Sequence, residues 1–164
     1  MRRPRKPDLA ASEADERTVR TEALALLAGR DFGRAELVQR LAGRGYPGEL
    51  IEAVVAALVS ERLLSEERFI EQFMRLRAAR GHGPQRIRME LRERGVAGAD
   101  IDAAFDASAE DWTAIARETR RKRFGAAGPA DWHERARQGR FLQYRGFSAE
   151  QIRAALGPGD DIEP

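Results

Sequence analysis

The chain has 164 residues, no cysteine, and 29 basic against 27 acidic residues, for a formal charge of +2. The missing thiol excludes a disulfide framework, a thiolate zinc site and a cysteine nucleophile, and no apolar run approaches the roughly 20 residues that cross a bilayer. Met1-Arg2-Arg3-Pro4-Arg5-Lys6-Pro7 is basic, but no apolar segment follows it. It is therefore not read as a secretory signal, and the expectation is a cytoplasmic protein without membrane contact.

Residues 1–16 read as a disordered basic tail. Val19, Ala23, Leu24 and Leu27 then fall on one helical face, and Leu37 with Leu41 repeats the i, i+4 spacing after Gly33, an N-cap position. Ser65 is an N-cap candidate with Glu66 and Glu67 in the dipole-favoured first turn of the helix that carries Phe69, Ile70, Phe73 and Leu76. The break Gly81-His82-Gly83-Pro84 ends it, and Pro84 suits the first position of the next helix, with Ile87 and Leu91. Another helix is expected near Trp112–Phe124 after Asp111, then a break at Gly125-Ala126-Ala127-Gly128-Pro129. Ser148 and Gln151 have capping-box spacing ahead of Ile152, Ala155 and Leu156. No stretch alternates with a period of two, so no sheet is expected.

Three blocks align along this path: Leu41-Ala42-Gly43-Arg44-Gly45-Tyr46, Leu91-Arg92-Glu93-Arg94-Gly95-Val96 and Leu142-Gln143-Tyr144-Arg145-Gly146-Phe147. The glycines fall at 45, 95 and 146, intervals of 50 and 51 residues, and Ile51, Ile101 and Ile152 stand six residues after them. Each block reads as a helix stop, with glycine where a left-handed backbone is needed and an apolar residue folding back on the helix. The fold class expected is all-α: three tandem three-helix repeats at residues 17–64, 65–109 and 110–157, then an acidic disordered tail over 158–164. Units this small bury little surface alone, so contacts between neighbours are expected to support them in an elongated or curved array.

Enzyme motifs fail residue by residue. His133-Glu134-Arg135-Ala136-Arg137 has arginine where a zinc pair needs its second histidine, and Arg86 stands where a dinucleotide loop begun at Gly81 needs its third glycine. No phosphate-binding loop of the Walker type exists, so no catalytic residue, metal or cofactor is assigned. The charge is instead uneven. Arg75, Arg77, Arg80, Arg86 and Arg88 bracket the first glycine break. Arg120, Arg121, Lys122 and Arg123 form the densest run, while Arg137, Arg140 and Arg145 fall near one helical face. Two readings stand side by side: solvated faces laced with i, i+4 ion pairs such as Glu90 with Arg86, or a surface for an acidic partner. Tyr144 is open to either a stacking or a structural role. Phe141 and Phe147 are assigned to the core, Trp112 and Trp132 to helix packing, and His82 to an exposed, inert turn.

The same residues carry a family resemblance over about Thr21 to Leu156. Leu63-Leu64-Ser65-Glu66-Glu67-Arg68-Phe69 is similar to the Leu-Leu-Asp-Asp-Glu-Arg-Phe stretch of the RecX family. Arg80-Gly81-His82-Gly83-Pro84 through Ile87, Glu90-Leu91 and Gly95 matches its Gly-x-Gly-Pro signature, and Arg140-Phe141-Leu142 through Arg145-Gly146-Phe147 its C-terminal one. Ser65, Glu66, Ile70 and Gly33 depart from the usual residues at caps and packing positions. The resemblance implies a non-enzymatic, monomeric negative regulator that binds RecA filaments on single-stranded DNA and inhibits ATP hydrolysis, strand exchange and SOS co-protease activity. It also implies that the arginine zones and Tyr144 contact RecA or DNA. The alternative is a stand-alone DNA-binding protein built from helix–turn–helix-like units, which a net charge of +2 disfavours; weak single- or double-stranded DNA affinity is compatible with the regulator.

Overall fold

A computed structural model describes the backbone of residues 9–158 and the side chains of residues 15–158. Among the described residues there are nine α-helices and no strand. They are α1 (Leu9–Gly29), α2 (Arg34–Ala42), α3 (Gly48–Ser60), α4 (Glu66–Ala79), α5 (Pro84–Glu93), α6 (Gly98–Ala107), α7 (Trp112–Phe124), α8 (Trp132–Tyr144) and α9 (Ala149–Leu156). In order they make three tandem three-helix repeats. Helix α1 starts at Leu9, inside the stretch the sequence assigns to a tail; residues 1–8 and 159–164 lie outside the described residues.

The helix ends follow from their chemistry. The Asp111 and Asp131 carboxylates each accept an N–H of the first turn that follows, from Ala114 at 2.9 Å and Glu134 at 2.8 Å. Ser148 and Gln151 form the reciprocal capping box, with Gln151 N–H donating to Ser148 Oγ at 3.2 Å and Ser148 N–H to Gln151 Oε1 at 2.8 Å. At the other ends Gly45, Gly95 and Gly146 have φ of +90°, +81° and +95°. After α8, Phe147 N–H bonds the Leu142 carbonyl and Gly146 N–H that of Gln143, the paired bonds of a Schellman stop. Arg62 closes α3 in the same way with φ +60°, the only left-handed residue among those described that is not glycine.

Contacts divide the chain into two compact units, residues up to Phe69 together with Arg94–Val96, and Ile70–Glu93 together with residues from Ala97 on. In the first, Val19 and Ala23 of α1, Leu37 and Leu41 of α2, and Ile51, Val54, Val55 and Leu58 of α3 form one buried core with Phe32 and Leu64. Each valine, leucine or isoleucine among them contributes about 1.5–3 kcal/mol on removal from water. In the second unit Ile70, Met74, Ala78, Ile87, Leu91 and Ile101 are buried. Around α7–α9, Ala116, Leu142, Phe147, Ala155 and Leu156 form a core against which Ile115, Phe141 and Ile152 pack.

A glycine turn is the recurrent join. In the second unit the Gly81–Pro84 turn and the Arg145–Phe147 turn touch: Gly83 N–H donates to the Arg145 carbonyl at 2.8 Å and Gln85 N–H to that of Gly146 at 3.0 Å. A Cβ on Gly83 would lie 2.4 Å from the Gly146 carbonyl, and one on Gly146 would lie 2.4 Å from Arg86 Cβ. In the first unit Gly95 also approaches Ala35 near the start of α2, with 2.7 Å left for a Cβ. Arg94 Nη1 there lies 3.5 Å from Glu36 Oε1. Burial works to raise the Glu36 pKa, but Arg30 and Arg94 outweigh it and hold the carboxyl below its ordinary value.

Candidate interaction cleft

The second unit carries a cleft of about 640 Å³ lined by residues of α4, α7 and the end of α8. Its floor is apolar: Ala78 and Ala79 from α4, Ala114 and Ile115 from α7, and the Phe141 ring from α8. Arg75 and Arg80 come from one side, Lys122 and Arg123 from the other, and Arg145 from beyond α8. The helical period places Arg75 one turn before Ala79, and Ala114, Glu118 and Lys122 in a row on one face of α7. Two basic zones more than thirty residues apart in the chain thus share one site.

The cations are held differently. Arg145 donates from Nη1 to the Arg80 carbonyl at 3.0 Å, and its guanidinium carbon sits 5.2 Å from the Phe141 ring centre. Lys122 Nζ lies 3.8 Å from Glu118 Oε1, and Arg123 lies 5.5 Å from the Phe124 ring. Arg75 is exposed and makes no ion pair among the described residues. The acids in the lining are Glu110 and Glu118. The hydrogen bond from Arg121 holds the Glu118 carboxyl below its ordinary pKa, so it is ionised near neutrality.

Other expected site residues lie elsewhere. Arg77 Nε is 2.7 Å from Glu90 Oε2 and Arg86 Nε 3.0 Å from Glu90 Oε1, so both are tied to one carboxylate. Arg88 pairs with Asp102 and lies 4.1 Å from the Phe105 ring. Arg121 engages Glu118 at 2.7 Å, and Arg137 engages Glu134 at 2.9 Å while lying 5.2 Å from the Phe124 ring. Arg140 is exposed on α8. Arg137, Arg140 and Arg145 do not act as one face: Arg145 turns into the cleft, and Arg137 stays with Glu134. Tyr144 is 80% exposed, outside the cleft lining, with the Arg86 guanidinium 5.7 Å from its ring.

Arg120 corrects the expectation most sharply. Only 6% exposed, it donates from Nε to Gln138 Oε1 at 2.9 Å and from its terminal nitrogens to the Gly125 and Ala127 carbonyls. It pins the α7–α8 connection and is closed to a partner. His82 is not an exposed, inert turn residue either. Its imidazole keeps 12% of its exposure, and Nδ1 lies 4.0 Å from Glu90 Oε1 with no hydrogen-bond partner among the described residues. Burial first, then Arg86, lowers its pKa against the opposing pull of Glu90. Trp112 stacks on Phe105 at 5.6 Å, but Trp132 is 58% exposed and anchors nothing buried. Phe147 is core, whereas Phe141 is half-buried and shared between the core and the cleft floor.

Sequence reasoning passed over Ala78, Ala79, Ala114 and Ile115, since alanine in an arginine-rich helix carries no site signal of its own. Among the described residues no group of three or more His, Cys, Asp or Glu is placed to hold a metal ion, and no helix is long and apolar enough to cross a membrane.

Residues 20–58, 65–104 and 109–156 match the first, second and third three-helix domains of RecX, respectively. The chain is 51% identical over 152 residues to the regulatory protein RecX of Halorhodospira halophila (strain DSM 244 / SL1), covering 93% of this chain and 92% of that one. It is 48% identical over 143 residues to that of Ectopseudomonas mendocina (strain ymp), covering 87% and 95%. Among solved structures, the fold is similar to a crystal structure of regulatory protein RecX, with TM-score 0.71 and 18% identity over 92% of this chain and 78% of that one. It is equally similar to RecX from Lactobacillus salivarius, with TM-score 0.71 and 17% identity over 85% and 93%.

Proposed function

The chain belongs to the RecX family, and on that premise we propose that it is a negative regulator of RecA: a cytoplasmic monomer that binds RecA filaments on single-stranded DNA. Binding slows ATP hydrolysis and restrains strand exchange and SOS co-protease activity. The observation that supports a binding role best is the cleft, where five cations from α4 and the turn after it, from α7 and from the turn beyond α8 line one apolar floor. Most other arginines named above are already matched by a carboxylate on their own or a neighbouring helix, and such exposed pairs have little spare charge to offer. In the cleft only Lys122 is matched in this way, at 3.8 Å from Glu118, while Arg75, Arg80, Arg123 and Arg145 make no ion pair among the described residues.

Titrating this protein into RecA from the same organism tests the reading. DNA-dependent ATP hydrolysis falls at near-stoichiometric or lower ratios, and the double variant Lys122→Glu, Arg123→Glu binds filaments more weakly with helicity and Tm unchanged. Unaltered hydrolysis and strand exchange across the titration would falsify it. Bare DNA is the control. A filament regulator prefers the assembled filament, whereas a stand-alone DNA-binding protein holds bare strands as tightly and with a steep salt dependence.

A further inference from the structure

We infer that the cleft between α4 and α7 takes an acidic peptide segment that inserts one aliphatic side chain, and that it is a protein-recognition site, not a nucleic-acid track. This deepens the filament reading and rests on it for the partner being a protein polymer. The walls supply the first half of the specificity. Arg75, Arg80, Lys122, Arg123 and Arg145 outnumber Glu110 and Glu118, so the cleft is net positive in a chain whose total is only +2. Flexible Arg and Lys on opposite walls suit carboxylates spaced along an extended backbone.

The floor supplies the second half. Nucleobases held without sequence preference need an open aromatic face on which to stack. Phe141 is the one aromatic residue in the lining, and its surroundings are taken: Phe124 meets it edge-to-face at 5.2 Å and the Arg145 guanidinium stands 5.2 Å from its centre. What remains is alanine methyls and Ile115, a surface for a leucine- or isoleucine-sized group. Glu118 is ionised and sits in the row with Lys122, where it would face a phosphate backbone. A peptide can place its carboxylates to avoid Glu118; a regularly charged strand cannot. Tyr144, the exposed ring, lies outside the lining.

The test uses the full chain and three fluorescent probes at physiological salt: a short glutamate peptide carrying one leucine, the same peptide with serine for leucine, and single-stranded oligo-dT of equal charge. The leucine peptide binds, the serine peptide binds about tenfold more weakly, and oligo-dT does not displace the leucine peptide. Arg75→Glu with Lys122→Glu removes peptide binding, and Ala79→Trp, which fills the floor, weakens it about tenfold at unchanged Tm. Ala114→Trp, from the opposite wall, serves if Ala79→Trp unfolds. The inference is overturned by absence of peptide binding, by displacement with oligo-dT, by indifference to the floor variants, or by self-association lost in the charge-reversed variant, which would assign the cleft to a second copy. Measured beside it, RecA hydrolysis separates the two ideas. Slowed hydrolysis with no peptide binding sinks the cleft assignment alone; peptide binding as described with untouched hydrolysis sinks the filament reading alone.

Discussion

Arg120 shows how far a charge in a basic run can be from a basic surface. It stands in sequence beside Arg121, Lys122 and Arg123, yet the helical turn points it inward, where Gln138 and two loop carbonyls take its donors. Arg120→Ala should therefore cost about 3 kcal/mol in urea unfolding, since it removes bonds to a charged group and leaves the buried Gln138 oxygen unmatched. Arg121→Ala, exposed on the same helix, should stay within about 0.5 kcal/mol. His82 gives a pH signature with a definite sign. Its folded imidazole takes a proton less readily than the ordinary value of 6.5, because burial and then Arg86 disfavour the cation. As pH falls through 6.5 the unfolded chain protonates first, so stability declines there, while above that value His82 contributes no slope. Arg77, Arg145 and Glu90 complete its charged surroundings. His82→Gln should flatten the stability curve on the acid side of neutrality. The carboxyls of Glu36, Glu118 and Glu134 are held below 4.5 and act in a separate window: they stabilise above it and lose that contribution as pH falls through their folded values. A wild-type slope near pH 6.5 that survives the substitution would discard this assignment.

Helix ends explain both what the chain makes legible and what it hides. The stops at Gly45, Gly95 and Gly146 and the caps at Ser65, Asp111 and Ser148 can be read directly because each depends on residues a few positions apart. The stop after α3 carries no glycine, so its left-handed Arg62 has no mark in the sequence. Arg62→Gly should raise stability by up to about 1 kcal/mol, since glycine meets no Cβ penalty at φ +60° and the bonds that Arg68 makes to residue 62 go to its backbone carbonyl, which glycine retains. An unchanged or lowered midpoint would contradict it. The cleft was half legible: its cations stand out by composition, but which of them meet depends on α4 lying beside α7, a packing fact beyond any local spacing. Trp132 departs from expectation for the same reason, because nothing local distinguishes an aromatic that becomes covered from one that stays exposed. The glycine turns allow a sharper comparison. Gly45 and Gly146 share a left-handed backbone, but a Cβ on Gly45 meets open space and one on Gly146 meets Arg86 at 2.4 Å. Gly45→Ala should cost about 1 kcal/mol from the backbone alone. Gly146→Ala should cost about 1–3 kcal/mol more from overpacking. Equal losses would mean the turn yields freely.

Three repeats in sequence do not make three independent folding units. The first turn of α4 belongs by contact with α1–α3: Glu66 accepts the Arg34 N–H at 2.8 Å, Arg68 lies 3.5 Å from Asp31 Oδ1, and a Cβ on Gly33 would meet the Phe69 ring at 3.0 Å. Arg94–Val96, the turn between α5 and α6 of the second repeat, joins the same unit, where Gly95 sits against Ala35. The start of one repeat and a helix stop inside it therefore belong by contact to the unit of the repeat before it. Cooperative opening should follow these contacts and not the repeat boundaries, because local unfolding runs through contiguous packed units. Phe69→Ala should cost about 3–5 kcal/mol, the range for emptying a buried aromatic position. Native-state hydrogen exchange then locates the loss. Amides of Leu37, Leu41 and Ile51 should exchange faster in proportion, while those of Leu142 and Phe147 should keep their wild-type protection. If protection falls equally at all of them, the chain opens as a single body, and the division into two units has no thermodynamic counterpart.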